Sequence, residues 1–277
     1  MNKKTIRNAV VLTLAAIILV TGSVLTTMAY LLSSAKVSNV FTIGNVAIEM
    51  FESPVTPEGE YADGFNPETQ RKTADTNSYR LVPGSTYIKD PTIYINQGSE
   101  PSLLFAKIKN QITNLEVDPA DATTMTMREQ MEANGWIRIG EGKNGDWIYL
   151  FTGTQTAISK DITEENYENY FNNLVKVIPY ADTEKKVNLF NNFTLSDNCN
   201  EHPDFKQAPS FEVTITAYAI QDTKFETGEG NFLSLQDIVD AWYEVTTHNA
   251  NETGNDFDLD TMKLFLREHY VVNAVNE

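Results

Sequence analysis

The stretch Phe211–Ile220 restricts the fold more than any other segment of the chain. Phe211, Val213, Ile215, Ala217 and Ala219 share one parity, and Glu212, Thr214 and Thr216 share the other. Side chains alternate across a strand, so the pattern predicts a β-strand with one buried face, and such a strand needs a sheet around it. Thr92–Ile95 reads as a further strand, Gln97-Gly98-Ser99-Glu100 as a turn, and Ser102–Ile112 as another strand with Leu104, Ala106, Ile108 and Ile112 on one side. The short Gly-containing turn between these two predicts an antiparallel pair. Trp136–Ile139 and Trp147–Phe151 flank Asn144-Gly145 and predict a hairpin.

Helical signals lie between and after the strands. Thr126-x-x-Glu129 is a capping box opening a helix that stops near Asn134-Gly135. Tyr167, Tyr170, Phe171 and Leu174 fall at helical spacing within Thr163–Leu174, although aromatic residues also suit a strand. Ser234-x-x-Asp237 caps a helix bearing Leu235, Ile238, Val239 and Trp242, and a last helix runs from Asp258 or Asp260 to Tyr270. Residues 52–80 hold Pro54, Pro57, Gly59, Gly64 and Pro67 and read as a long loop or an insertion at the sheet edge. The expected fold is mainly β, an antiparallel jelly-roll-like β-sandwich with helical insertions and C-terminal helices. Its expected division is a leader over 1–29, a β-sandwich over 30–221 with insertions at 52–80 and 113–134, and a helical extension over 222–277.

The first fifty residues bear on where the chain works. Lys3, Lys4 and Arg7 precede an apolar run, Ala9–Val20, and small residues follow up to Thr27-Met28-Ala29. That order is the layout of a secretory signal peptide, with cleavage expected between Ala29 and Tyr30; Ser33-x-Ala35 is a second small-residue site. The charge-free stretch from Asn8 to Ala35 is also long enough for a retained anchor, but Thr21-Gly22-Ser23 and Thr26-Thr27 dilute it. Loss of the leader makes the formal net charge of −17 more negative still, by the three charges of Lys3, Lys4 and Arg7. A chain so acidic repels nucleic acid and anionic lipid, and salt or divalent cations relieve repulsion between its copies. With 41% apolar residues a sizeable core is within reach. The single cysteine, Cys199, permits no internal disulfide; it reads as a small side chain in a polar loop or as a thiol open to an intermolecular bridge.

Catalytic and metal-binding patterns are absent from the sequence. His202, His248 and His269 are scattered, with no His-Glu-x-x-His. Gly140-x-Gly142-x-x-Gly145 matches a dinucleotide fingerprint by letters but sits inside the Trp-flanked hairpin with no helix behind it. Asn249-x-Asn251-x-Thr253, with Asp260 twelfth, echoes calcium-loop spacing but lacks carboxylates at the first positions. The expectation is a protein that is not an enzyme and needs no cofactor.

Short segments spread along the chain point to a family. They are Met28-Ala29-Tyr30, Asn39-Val40-Phe41-Thr42-Ile43-Gly44-Asn45-Val46, Leu81-x-Pro83-Gly84, Lys89-Asp90-Pro91 and Gly98-Ser99-Glu100-Pro101, followed by Gly135-Trp136, Leu189-Phe190, Ala217-Tyr218-Ala219-Ile220-Gln221 and Ala241-Trp242. In this order they resemble the TasA/camelysin group, secreted Gram-positive proteins processed by a SipW-type signal peptidase. Segments 113–134 and 222–277 look longer or more helical than the core pattern of that group. The resemblance implies a jelly-roll-like sandwich and a structural protein of the biofilm matrix or cell surface. Subunits of such a protein build fibres by adding an N-terminal strand to a neighbour's sheet. Its partners would be itself, the signal peptidase during export and other matrix proteins. Camelysin-type members have been described as surface metallopeptidases, an activity for which this sequence offers no site.

The expected self-assembly strand comprises Val40, Phe41, Ile43, Val46, Ile48 and Met50. Phe41 and Ile43 share one parity and Val46, Ile48 and Met50 the other, so a one-residue bulge at Gly44-Asn45 would bring all five to one face. Burying them at about 1.5–3 kcal/mol each gives roughly 7–15 kcal/mol as an upper bound. An unpaired ribbon of this kind is an aggregation hazard and must dock in its own sheet or a neighbour's. A monomeric, adhesin-like surface module, binding through the 52–80 loop and the terminal helices, is the alternative.

Overall fold

The computed structural model describes residues 32–43, 45–117, 124–142, 145–207, 210–221, 232–247 and 257–271. The leader with Ala29 and Tyr30, Gly44, Asn144, His248 and the calcium-like stretch 249–256 lie outside the described residues. In chain order the strands are β1 (Leu32–Ile43), β2 (Ile48–Phe51), β3 (Thr76–Arg80), β4 (Thr86–Ile88), β5 (Thr92–Ile95), β6 (Ser102–Asn110), β7 (Trp136–Glu141), β8 (Trp147–Phe151), β9 (Lys185–Asn188), β10 (Asn192–Thr194) and β11 (Ser210–Gln221). The helices are α1 (Met127–Ala133), α2 (Tyr167–Asn172), α3 (Pro203–Gln207), α4 (Leu235–Thr247) and α5 (Leu259–Tyr270). The fold is mainly β. A six-stranded sheet runs in the order β3-β1-β11-β6-β8-β7, beside a three-stranded sheet β2-β5-β9 and a two-stranded sheet β10-β4. Pairing is antiparallel throughout the named strands except at β1 and β11, which run parallel.

Both faces of the large sheet are covered. On one, Leu104, Ala106 and Ile108 of β6 and Val213, Ile215 and Ala217 of β11 pack into a core shared with the smaller sheets through Ile48, Met50, Ile93 and Phe193. The opposite parity, including Leu103, Phe105, Leu150 and Tyr218, enters a second core with Leu235, Ile238 and Trp242 of α4 and Met262 and Leu266 of α5. The buried parity predicted for β11 is therefore correct, while Tyr218 and Ile220 on its other side are buried as well. The stretch read as a helical extension supplies α4 and α5, whose apolar stripes roof this second face.

Local signals hold where they are local. Thr126 and Glu129 form both bonds of a capping box at α1. Ser234 Oγ accepts the Asp237 N–H at 3.2 Å, and Asp258 Oδ1 accepts the Thr261 N–H at 2.8 Å, so each late helix starts where its cap predicts. β7 and β8 form the expected hairpin, with a register shift between Arg138 and Gly140. A Cβ at Gly140 would lie 2.7 Å from Phe257 Cδ1, so this glycine serves close packing of the sheet against the segment leading into α5.

Three expectations are overturned. β5 and β6 do not pair with each other: β5 lies between β2 and β9, and β6 between β11 and β8. The turn at 97–100 carries the chain from one sheet to the other, and Gly98, at φ +88°, lets it reverse there. Residues 76–80, read as part of a loop, form β3 at the edge of the large sheet; only Tyr79 and Asn77 turn inward, which leaves no apolar alternation to detect. Segment 40–50 is not one ribbon, since β1 and β2 belong to different sheets.

Candidate assembly interface

β1 fills a slot between two strands. Residues 32–36 pair antiparallel with β3, from Leu32 opposite Arg80 to Lys36 opposite Thr76. The other edge runs parallel to β11 from Leu32 opposite Ser210 to Ile43 opposite Ile220. A register shift between Val37 and Val40 places a bulge at Ser38 and Asn39, while Gly44, of the bulge expected at Gly44-Asn45, lies outside the described residues. On its far edge β11 is held antiparallel by β6, from Val213 opposite Asn110 to Gln221 opposite Ser102. Withdrawal of β1 would leave β11 with one unpaired edge along its length and would part β3 from the rest of the sheet. Such an edge is a template for an incoming strand.

The six residues of the expected self-assembly strand separate into two sets. Val40, Phe41 and Ile43 belong to β1, and Val40, Phe41 and Ile43 face Ala217, Tyr218 and Ile220 in register. Val46, Ile48 and Met50 are buried under the three-stranded sheet, where Ile48 pairs with Ile95 and Met50 with Ile93. The break has a backbone cause. Asn45 N–H donates to Gln221 Oε1 at 2.7 Å and Ala47 N–H to Ser99 Oγ at 3.1 Å, and these bonds turn the chain off β1 and onto the facing sheet. Of the expected strand, β1 lies between β3 and β11 in the large sheet, whereas β2 is part of the core.

A second constellation, which sequence reasoning missed, lies where the 52–80 loop meets the end of β4. Glu52 and Lys89, both with side chains 0% exposed, form a close ion pair. Asn77 Nδ2 donates to the other Glu52 carboxylate oxygen at 2.9 Å and to the Ser53 carbonyl at 2.9 Å. Asp90 accepts from Ser53 N–H at 2.8 Å and Ser53 Oγ at 2.7 Å, and pairs with Lys72 Nζ at 2.9 Å. Burial pushes the Lys89 amine below the ordinary lysine range, against the pull of Glu52. A buried lysine leaves no periodic trace in the sequence, so Lys89 does not stand out within the ordered stretch Leu81–Pro91.

The remaining candidates have plain structural roles. Cys199 is buried in the first core, and burial raises its thiol pKa, so it is not presented for an intermolecular bridge. The His269 ring stacks on Phe265, and His202 lies 3.4 Å from Asp204 on the surface. Among the described residues no three His, Cys, Asp or Glu side chains converge as a metal site, and no helix is long and apolar enough to cross a membrane. Comparison with models of known families, with curated proteins and with solved structures finds no match to this chain.

Proposed function

We propose that this chain is a secreted structural protein of the extracellular matrix or cell surface, whose subunits join when β1 of one molecule occupies the β3–β11 slot of the next. The observation that carries the reading is the placement of β1. It is a strand inserted between two others near the N-terminus, and it is followed at once by a switch to another sheet. Such a strand can be exchanged between copies without dismantling the core that Val46, Ile48 and Met50 anchor. The layout of residues 1–29 as a leader and the resemblance to the TasA/camelysin group support export and matrix assembly. The large sheet, with smaller sheets against one face, supports reading the β portion as a jelly-roll-like sandwich.

A monomeric surface module is the second reading, and one observation favours it: β1 is fully accommodated in its own sheet. Electron microscopy and size-exclusion profiles of the mature protein separate the two. Fibres or head-to-tail oligomers, abolished by deletion of residues 30–43, are expected. A chain that stays monomeric at all concentrations and salt levels, or fibres that persist after the deletion, would overturn the exchange model. N-terminal sequencing of secreted material tests cleavage after Ala29.

A further inference from the structure

The buried Glu52–Lys89–Asn77 cluster has the makings of a covalent cross-link. Its three residues come from separate elements: Glu52 directly follows β2, Asn77 sits in β3, and Lys89 directly follows β4. One oxygen of the Glu52 carboxylate contacts Lys89 Nζ, and the other accepts from Asn77 Nδ2 at 2.9 Å, so a single carboxylate holds an amine and a carboxamide side by side. The Asn77 amide is further oriented by the Ser53 carbonyl at 2.9 Å, while its own carbonyl oxygen accepts the Val55 N–H at 3.4 Å. That N–H points at the oxygen on which negative charge would develop if the amide carbon were attacked. Asp90 is engaged by Lys72 and Ser53, which leaves Glu52 as the proton acceptor for Lys89. Desolvation lowers the Lys89 pKa and so favours the uncharged, nucleophilic amine. Burial also keeps out the water that would hydrolyse the asparagine amide or the new bond to an aspartate.

We infer that Lys89 and Asn77 become joined by an isopeptide bond, with Glu52 carrying the protons. The Lys89 ammonium gives a proton to the Glu52 carboxylate, and the free amine attacks Cγ of Asn77, forming the C–N bond. The Glu52 carboxyl protonates the departing nitrogen, the C–Nδ2 bond breaks, and ammonia leaves. The second proton lost by Nζ returns to Glu52, which ends as a neutral carboxylic acid hydrogen-bonded to the new amide. No oxidant, metal or external reactant is needed. Attack on Glu52 itself would consume the only group placed to shuttle protons, so the carboxamide is the electrophile. The bond would tie β3, at the edge of the large sheet, to the end of β4, in the smaller sheet, independently of whether β1 is exchanged.

Mass spectrometry of the denatured wild-type protein tests this, read on proteolytic peptides so that processing of the leader does not enter. The expected result is near-complete conversion to a branched peptide joining Lys89 to Asn77, one ammonia lighter than its two parts. Lys89→Arg, Asn77→Ala and Glu52→Gln should each abolish it. Unlinked Lys89 and Asn77 peptides in the wild type would overturn the inference, as would a species one water lighter joined at Glu52 or Asp90. The wild-type measurement decides the matter even where a buried variant fails to fold.

Discussion

β1 and β2 are close in sequence and similar in apolar character, yet the fold uses them in opposite ways. β1 is held by ladders on both edges, to β3 and to β11, and runs parallel to the latter. β2 pairs with β5 and sends Ile48 and Met50 into the core, where each is almost fully buried. Ladder bonds can be re-formed with an identical strand from another molecule, whereas core burial belongs to one chain and is lost when that chain opens. The difference teaches that, on the proposed reading, assembly competence and stability are divided at a single connection that includes residues 45–47, with exchange on one side of it and integrity on the other.

The sharpest way to break this division is a charge on each side. Ile48→Asp places a carboxylate in the first core and should cost about 4 kcal/mol or more, enough to unfold the monomer in a denaturant titration. Ile43→Asp should leave a folded monomer and suppress polymerisation. Equal loss of folding in both variants would erase the distinction. Deletion of residues 30–43 should lower the thermal midpoint by several degrees. A synthetic peptide of residues 32–43 added in trans should restore it by mass action; a midpoint indifferent to the peptide would show that the slot does not accept a strand from outside.

A smaller effect concerns the face that β2 helps to build. Glu116 is buried against α1, where its carboxylate accepts the Met127 N–H at 2.9 Å, and burial raises its pKa from 4.5 to about 8. Between those values the folded chain binds this proton more tightly than the unfolded chain, so the contribution of Glu116 to stability falls as pH rises from 4.5 to 8 and is level below that window. Glu116→Gln should flatten the decline in thermal midpoint over this range, and an unchanged slope would assign the pH dependence to other groups. The smallest effect is on the helical face. Ser234→Ala removes the cap of α4 and should cost about 1 kcal/mol by chemical denaturation, without touching assembly.

What could be read in advance was whatever a short window contains. The β11 alternation, the Trp-flanked hairpin and the boxes at Thr126, Ser234 and Asp258 are each complete within sixteen residues, and each is found in place. Partnership between distant segments left no such mark. A four-residue turn at Gln97–Glu100 looks the same whether it closes a hairpin or crosses between sheets, and only the packing of Ile93 and Ile95 against one core decides. β3 is polar because it lies at a sheet edge, so Thr76–Arg80 resembles the loop before it. The cluster of Glu52, Asn77 and Lys89 was illegible for the same reason, as three residues typical of surfaces meet only once the sheets have closed over them.

The shared direction of β1 and β11 has a consequence for any chain of subunits built this way. A strand arriving from outside in the observed register must enter with one orientation only, so every molecule hands its arm forward and receives one from behind. The resulting thread has unlike ends, an empty socket at one tip and an unclaimed arm at the other. Growth, capping and attachment to a cell would then be distinct events, each addressed to a different terminus.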